Sequence, residues 1–350
     1  MNKFYLLLLI LFAVKAQATH IVGGEFELEN VNPAIYEYRL SLNLYFDDVN
    51  GDQGALDQTF KYSIFEKGTN RRMEDGVLPL STISFVPYTN PDCAIGSLRT
   101  KRILYTKQLF LDPATFTNPG GYYIVSERCC RNNTIGNIIQ PGATGQTFYL
   151  EFPPVETASG PFINSSPKLF PPLSDYACNN TLFYFDFSGD DPDGDSLIYE
   201  MVTPFKGHSQ PSPGGNPAPV ALPAPYPPVD WTAGLNTNNQ IPGSPSITID
   251  RFTGQLTLVP NRLGLFVFGI KCEEYRNGLK IGEVRRDFQL LVINCPTNEK
   301  PELQVKAPGA AGFYSSQDTI KIQAGAASRC INLYMSDTDL NENLSVRLRP

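Results

Sequence analysis

The chain has 350 residues, with 30 Pro, 28 Gly, 17 Tyr, 22 Phe and 18% charged residues, the makeup of short aromatic strands joined by turns. A net charge of -7 with no run of Lys or Arg excludes nucleic acid and anionic lipid as electrostatic partners. The two histidines, His20 and His208, have no Ser-His-Asp or Cys-His pairing that spacing can defend, so the chain is read as non-catalytic.

At the N-terminus, Met1-Asn-Lys3 precedes the apolar run Phe4 to Val14 and the small-residue site Ala16-Gln-Ala18, which is the order of a secretory signal peptide over residues 1–18. The run is too short to span a bilayer and no other approaches the length needed. The mature chain from Thr19 is therefore expected to pass through a secretion machinery and to carry no transmembrane segment. Exported cysteines meet oxidising surroundings, and none of the seven has C-x-x-C spacing. Cys93, Cys129, Cys130, Cys178, Cys272 and Cys295 are accordingly disulfide candidates, with Cys330 left over. Adjacent strand residues point to opposite faces, so Cys129 and Cys130 are expected to have different partners, one of them Cys93.

Residues 19–154 read as one β-sandwich domain. Tyr36 to Phe46, Thr59 to Phe65, Arg102 to Leu109, Tyr122 to Arg128 and Thr147 to Phe152 alternate apolar and polar residues between turn-rich loops. The loop Asp47-Asp-Val-Asn-Gly-Asp52 is followed by Gln53 where an EF-hand requires Gly, and a solvated hairpin tip is favoured over a calcium loop.

Residues 155–296 read as a second sandwich. Phe185, Phe187, Leu197 and Tyr199 alternate on either side of the corner Asp190-Asp-Pro-Asp-Gly-Asp195. The carboxylates of Asp190, Asp191, Asp193 and Asp195 repel one another there. They either stay in water as a plain turn or are neutralised by a hard cation such as Ca2+. Residues 204–245 are crowded with Pro, Gly and Asn and are expected to form a long surface insertion with no core of its own. Within it, Tyr226 and Trp231 either form a platform for a sugar ring or fold back over the sheet edge, and the second is preferred because large aromatics are usually buried. Ser246 to Pro260 is a hairpin turning at Thr253-Gly254.

Gly121 to Cys129 and Gly264 to Cys272 carry Gly, aromatic, Val and Cys at comparable offsets, each followed by Arg-Asn and a turn. Both look like the last hairpin of an immunoglobulin-like sandwich, which gives an all-β chain of tandem sandwiches. Residues 297–350 read as a linker and the start of a third repeat, since Ser336 to Leu344 echoes Gly189 to Leu197, and a longer repetitive protein is expected.

Two resemblances extend this reading. Asp191-Pro-Asp193, Ile249-Asp250 with Thr253-Gly254 and Leu256, and Glu273 or Glu274 after the strand Leu265 to Lys271 resemble the calcium-binding elements of a cadherin-like repeat. That resemblance implies Ca2+ held between the Asp-x-Asp loop and Glu273 or Glu274, with Glu in place of the usual Asp and without the family's acidic linker motif. His20-Ile-Val-Gly-Gly-Glu25, Pro87 to Cys93, Arg128-Cys-Cys-Arg-Asn132, Ile163-Asn-Ser-Ser-Pro167, Asp193 to Leu197 and Arg285-Arg-Asp-Phe-Gln289 resemble the N-terminal region of the large surface proteins that gliding Bacteroidetes export by type IX secretion. This implies a cell-surface protein of adhesion or gliding motility, on the exterior of the outer membrane, that meets other surface proteins or extracellular polysaccharide. The alternative is an exported carbohydrate-binding or carbohydrate-active protein using Tyr226 and Trp231.

Overall fold

The computed structural model describes residues 21–51, 56–89, 93–172, 174–209, 220–295, 301–315, 317–321, 325 and 330–337, and the expected signal peptide lies outside them. Among the described residues the fold is all-β, interrupted by 3-10 turns such as Pro33–Ile35 and Pro141–Ala143, and no helix is long and apolar enough to cross a membrane. The chain divides into two compact units, residues 1–89 with 95–294 and residues 90–94 with 295–350.

In the first unit, β1 (Ile21–Asn32), β2 (Glu37–Asp47), β3 (Thr59–Glu66), β4 (Arg72–Phe85), β5 (Thr100–Phe110), β6 (Tyr122–Arg128) and β7 (Gln146–Phe152) come first. Short pieces follow: β8 (Glu156–Thr157), β9 (Gly160–Pro161), β10 (Lys168–Leu169), β11 (Ala177–Cys178), β12 (Phe183–Asp186) and β13 (Gly189–Asp190). Then come β14 (Ser196–Met201), β15 (Thr248–Ile249), β16 (Gln255–Leu258) and two long strands, β17 (Gly264–Arg276) and β18 (Leu279–Ile293).

Hydrogen bonding joins β1-β2-β5-β4-β3-β6-β7-β18 in that order, and Gly24 of β1 lies opposite Asp287 of β18, so eight strands close into a barrel-like ring. Closure removes the edges that an open sheet exposes. Seven of the strands come from residues 19–154. The eighth, β18, is the last strand of the segment expected as a separate second domain, so the boundary expected near residue 154 runs through a single sheet.

Length explains the double duty of β18. Its 15 residues span about 50 Å at 3.3 Å per residue, enough for successive partners. One edge holds β17 throughout, while the other passes from β7 at Glu283 and Val284, to β1 at Asp287, to β11 at Val292 and Ile293.

Strand alternation fills the ring. Leu40, Leu42, Leu44 and Phe46 of β2, Tyr122 and Ile124 of β6, and Phe148, Leu150 and Phe152 of β7 belong to one buried cluster. Many of their alternating neighbours, such as Tyr45, Tyr123, Val125 and Tyr149, face outward and are buried as well. Tyr45 meets Phe288 of β18 in a second core, which lies between β17 and β18 on one side and the sheet β12-β16-β15 on the other. Tyr123, Val125 and Tyr149 are covered by the Pro/Gly-rich segment through Phe205, Ala221 and Tyr226. The segment folds back over the sheet, as was preferred for its aromatics: the outer faces of β3, β6 and β7 are aromatic, and the segment covers them.

Two buried ion pairs tie the ring together. Arg286 Nε donates to Glu25 Oε2 at 3.0 Å, and Tyr45 Oη donates to Glu25 Oε1 at 2.9 Å. Arg131, after β6, reaches both carboxylate oxygens of Asp287 and donates to the carbonyls of Gly145 and Phe205. At the seam, a Cβ on Gly23 would lie 2.0 Å from the Asp287 carbonyl oxygen of β18 and one on Gly24 2.6 Å from the Asn43 carbonyl oxygen of β2, so glycine lets β1 fit this closely between its two neighbours.

In the second unit, β19 (Glu302–Lys306) and β20 (Asn332–Ser336) pair antiparallel, with the Phe313 and Tyr334 rings 5.3 Å apart. Most of the acidic stretch 336–344 lies outside the described residues.

Two substitutions test the seam. Gly23→Ala is expected to lower stability by about 1–3 kcal/mol through overpacking, read from urea unfolding, whereas Gly96→Ala, whose methyl meets nothing within 4 Å, should stay within about 0.5 kcal/mol. Glu25→Gln leaves the fully buried Arg286 without its counter-charge and should cost about 3–5 kcal/mol.

Candidate metal centre

The acidic corner is built by its own backbone. Gly194, at φ +81°, makes the turn. Asp191 Oδ1 accepts the N–H groups of Asp193 at 2.9 Å and Asp195 at 3.0 Å, which holds the loop in shape as an Asx turn. The other oxygen, Asp191 Oδ2, is buried and has no hydrogen-bond partner.

Beyond the corner, β14 runs antiparallel to β17 and places Leu197 opposite Glu274. This register carries Glu274 beneath the corner. One carboxylate oxygen from each of Asp191, Asp195 and Glu274 lies within 4.8 Å of the others. Glu274 is 0% exposed, and neither of its oxygens has a well-aligned hydrogen-bond partner, although the side chains of Asn164 and Asp195 lie close enough to bear on its proton. Gly282, opposite it on β18, makes the room, since a Cβ there would lie 2.4 Å from Glu274 Oε2. Burial, with the charges of Asp191 and Asp195 beside it, pushes the Glu274 carboxyl up to about 9. Burial also raises Asp191, although the two backbone N–H groups oppose the shift.

The other expected ligands lie elsewhere. Glu273 points to the opposite face, where Lys271 and Lys280 donate at 2.9 Å and Tyr275 at 3.0 Å; burial alone would raise its carboxyl, but these donors outweigh it and hold it at about 2. Asp193 is exposed, and its Oδ2 accepts the Ser165 N–H at 2.6 Å. Asp190 is exposed in β13, paired with Lys168. Of the six acidic residues singled out, Asp191, Asp195 and Glu274 come together and Asp190, Asp193 and Glu273 do not. The loop at Asp47 is a turn in which Asp47 Oδ1 accepts the N–H groups of Val49 and Asn50, while Asp48 pairs with Arg99 and Lys101. Asp250 similarly caps its hairpin, accepting from Phe252 and Thr253.

Residues that drew no site assignment from the sequence complete the cluster. Arg276, at the end of β17, donates to Asp195 Oδ1 at 2.8 Å, to the Ile163 carbonyl at 2.9 Å and to Asn164 Oδ1 at 2.7 Å. Ser165 Oγ accepts the Asn30 N–H at 3.1 Å, and Ser166 Oγ accepts the Leu28 N–H at 2.9 Å. The segment Ile163 to Ser166 thus touches the acidic loop on one side and β1 on the other. Its polar run Asn-Ser-Ser was the only signal in the sequence.

The cysteines and aromatics depart from expectation in specific ways. Cys129 and Cys130 are bonded to each other, across a cis peptide, so neither is left for Cys93. Strand β6 ends at Arg128, and the alternation that would have separated the two does not reach them. Cys178 and Cys295 are disulfide-bonded. Cys272 is a buried free thiol whose ionisation burial disfavours, which corrects its assignment to a disulfide, and Cys330 is an exposed free thiol as expected. Tyr226 is 6% exposed, ringed by Tyr123, Tyr149, Phe205 and His208, which removes it as a sugar platform. Trp231 is half-buried beside Ile135, Ile138, Val229 and Val267, and its Nε1 donates to Thr203 Oγ1 at 3.2 Å.

Chemically, the corner offers only carboxylate oxygens, the donor set of a hard cation. Arg276 pairs with Asp195, while Glu274, pushed up to about 9, holds its proton near neutral pH, so a cation entering the corner must displace that proton. No protein-family model, no curated protein and no solved structure matches the chain.

Proposed function

We propose that the chain is an exported, non-catalytic protein of the cell surface, serving adhesion or gliding motility, in which Ca2+ bound by Asp191, Asp195 and Glu274 fixes the joint between the barrel and the sheets built on β17. The observation that carries the cation is the set of three buried oxygens without a well-aligned hydrogen bond, Asp191 Oδ2 and both oxygens of Glu274, gathered in one cluster. Leaving such groups unsatisfied costs free energy, and a divalent cation offsets that cost together with the mutual repulsion. We read β14, β17 and β18, facing β12, β15 and β16, as a divergent cadherin-like sandwich fused to the barrel, since its acidic loop meets the end of β17 as the resemblance implies. The surface role rests on the resemblance to type IX-secreted proteins. Its expected partners are other surface proteins or extracellular polysaccharide.

Calcium at a hundredfold excess over Kd stabilises a folded chain by about 2.7 kcal/mol, a rise of a few degrees in Tm for a chain of this size. Millimolar Ca2+ against chelator should therefore raise the melting temperature of the wild type and of Glu273→Gln, but not of Asp191→Asn or Glu274→Gln. Hydrogen exchange at Leu28 and Asn30 should slow together with that of the acidic loop, because Ile163 to Ser166 joins the two. Coincident melting curves with and without Ca2+ for the wild type would reject the cation. Protease treatment of intact cells should cleave the chain; full protection would reject the surface location.

A further inference from the structure

We propose that Cys129–Cys130 is a thiol–disulfide exchange site for small thiols, a reversible switch at the end of β6 rather than a cross-link that holds the fold. The bond joins residues one apart in sequence. Disulfides stabilise chiefly by removing loop entropy from the unfolded chain, by about 3 kcal/mol for a 15-residue loop, and a bond between neighbours closes almost no loop. Linkage works in both directions: a bond that adds little to folding is in turn little protected by folding. Cys178 and Cys295 have no cysteine beside them, so their bonding closes long loops, which the folded state protects strongly.

Position gives the bond access and a target. Cys129 is half-buried and Cys130 is 9% exposed, so an incoming thiolate meets Cys129 first. The pair lies between two anchored arginines. Arg128 is 3.1 Å from Asp57, and Arg131 is held by Asp287 and by the carbonyls of Gly145 and Phe205, while its N–H donates to the Thr144 carbonyl at 2.9 Å. Opening the bond frees backbone rotation between these anchors, so its effect falls on the approach of Arg131 to β18 and on the stretch leading to β7.

The step balances with a small dithiol as reductant. Its thiolate attacks Sγ of Cys129, the S–S bond breaks, and Cys130 leaves as a thiolate and takes a proton. The second thiol then attacks the mixed disulfide, releasing Cys129, which is protonated in turn. Two electrons pass to the protein and the dithiol ends as a cyclic disulfide.

The test is a titration of the purified chain with dithiothreitol, quenched by iodoacetamide and mapped by mass. Cys129 and Cys130 should be alkylated at dithiol concentrations at least tenfold below those that open Cys178 and Cys295, with Tm unchanged within about 1 °C. Amide exchange at Arg131 should quicken, and oxidised dithiothreitol or glutathione should reverse the change. Opening of Cys129–Cys130 only together with Cys178 and Cys295, or only with loss of fold, would overturn the proposal. The double variant Cys129→Ser/Cys130→Ser should melt with the wild type and show no dithiol-dependent exchange at Arg131; a dithiol response that persists there would overturn it as well.

Discussion

Arg286 and Asp287 are neighbours on β18 and so point to opposite faces, one to Glu25 of β1 and the other to Arg131 beyond β6. The two buried pairs have opposite polarity along the strand. A slip of one residue in one direction would set Arg286 against Arg131, and in the other direction Asp287 against Glu25, in each case like charge against like charge in a position closed to water. Buried ion pairs add little net stability, because desolvation consumes most of their attraction, but here they penalise the wrong register heavily. The hydrophobic pattern adds to this, since Phe288 and Leu290 would leave the second core on the same slip.

Much else follows from that register. With β18 fixed, β17 is fixed along its whole length, and Glu274 falls opposite Gly282, whose missing Cβ leaves space for its carboxylate. Moving β17 by a single residue would replace Glu274 by Glu273, which carries its own lysine partners, and the acidic corner would lose its third member. The geometry of the corner is thus set by charges on the neighbouring strand. The segment Ile163 to Ser166 returns the connection to β1, so loop, strand and ring form one circuit of contacts.

The local part of this structure was legible in the sequence. Alternation marked β2, β6 and β7, and Asp, Pro and Gly marked the corner, because these features depend on residues close in the chain. Closure by β18 was not, since it depends on two glycines and a charge pair far from it. The sequence could not choose between Glu273 and Glu274, because that choice reverses with a one-residue change in register. It misjudged Cys129 and Cys130 because the strand ends one residue before them. For Tyr226 the sequence favoured a fold back over the sheet but not its partners, since the outward orientation of Tyr123 and Tyr149 shows only once the ring is closed.

The separation of Glu25 from Arg286, 261 residues, also sets a clock. A chain made at roughly 5–20 residues per second has its first strand in place for something like 15 to 50 s before the strand that closes the ring exists. Through that interval β1 is held by its hairpin with β2, while Glu25 and one edge of β1 remain open. The unit stays an unclosed sheet until nearly all of it has been synthesised, then locks in a single late event.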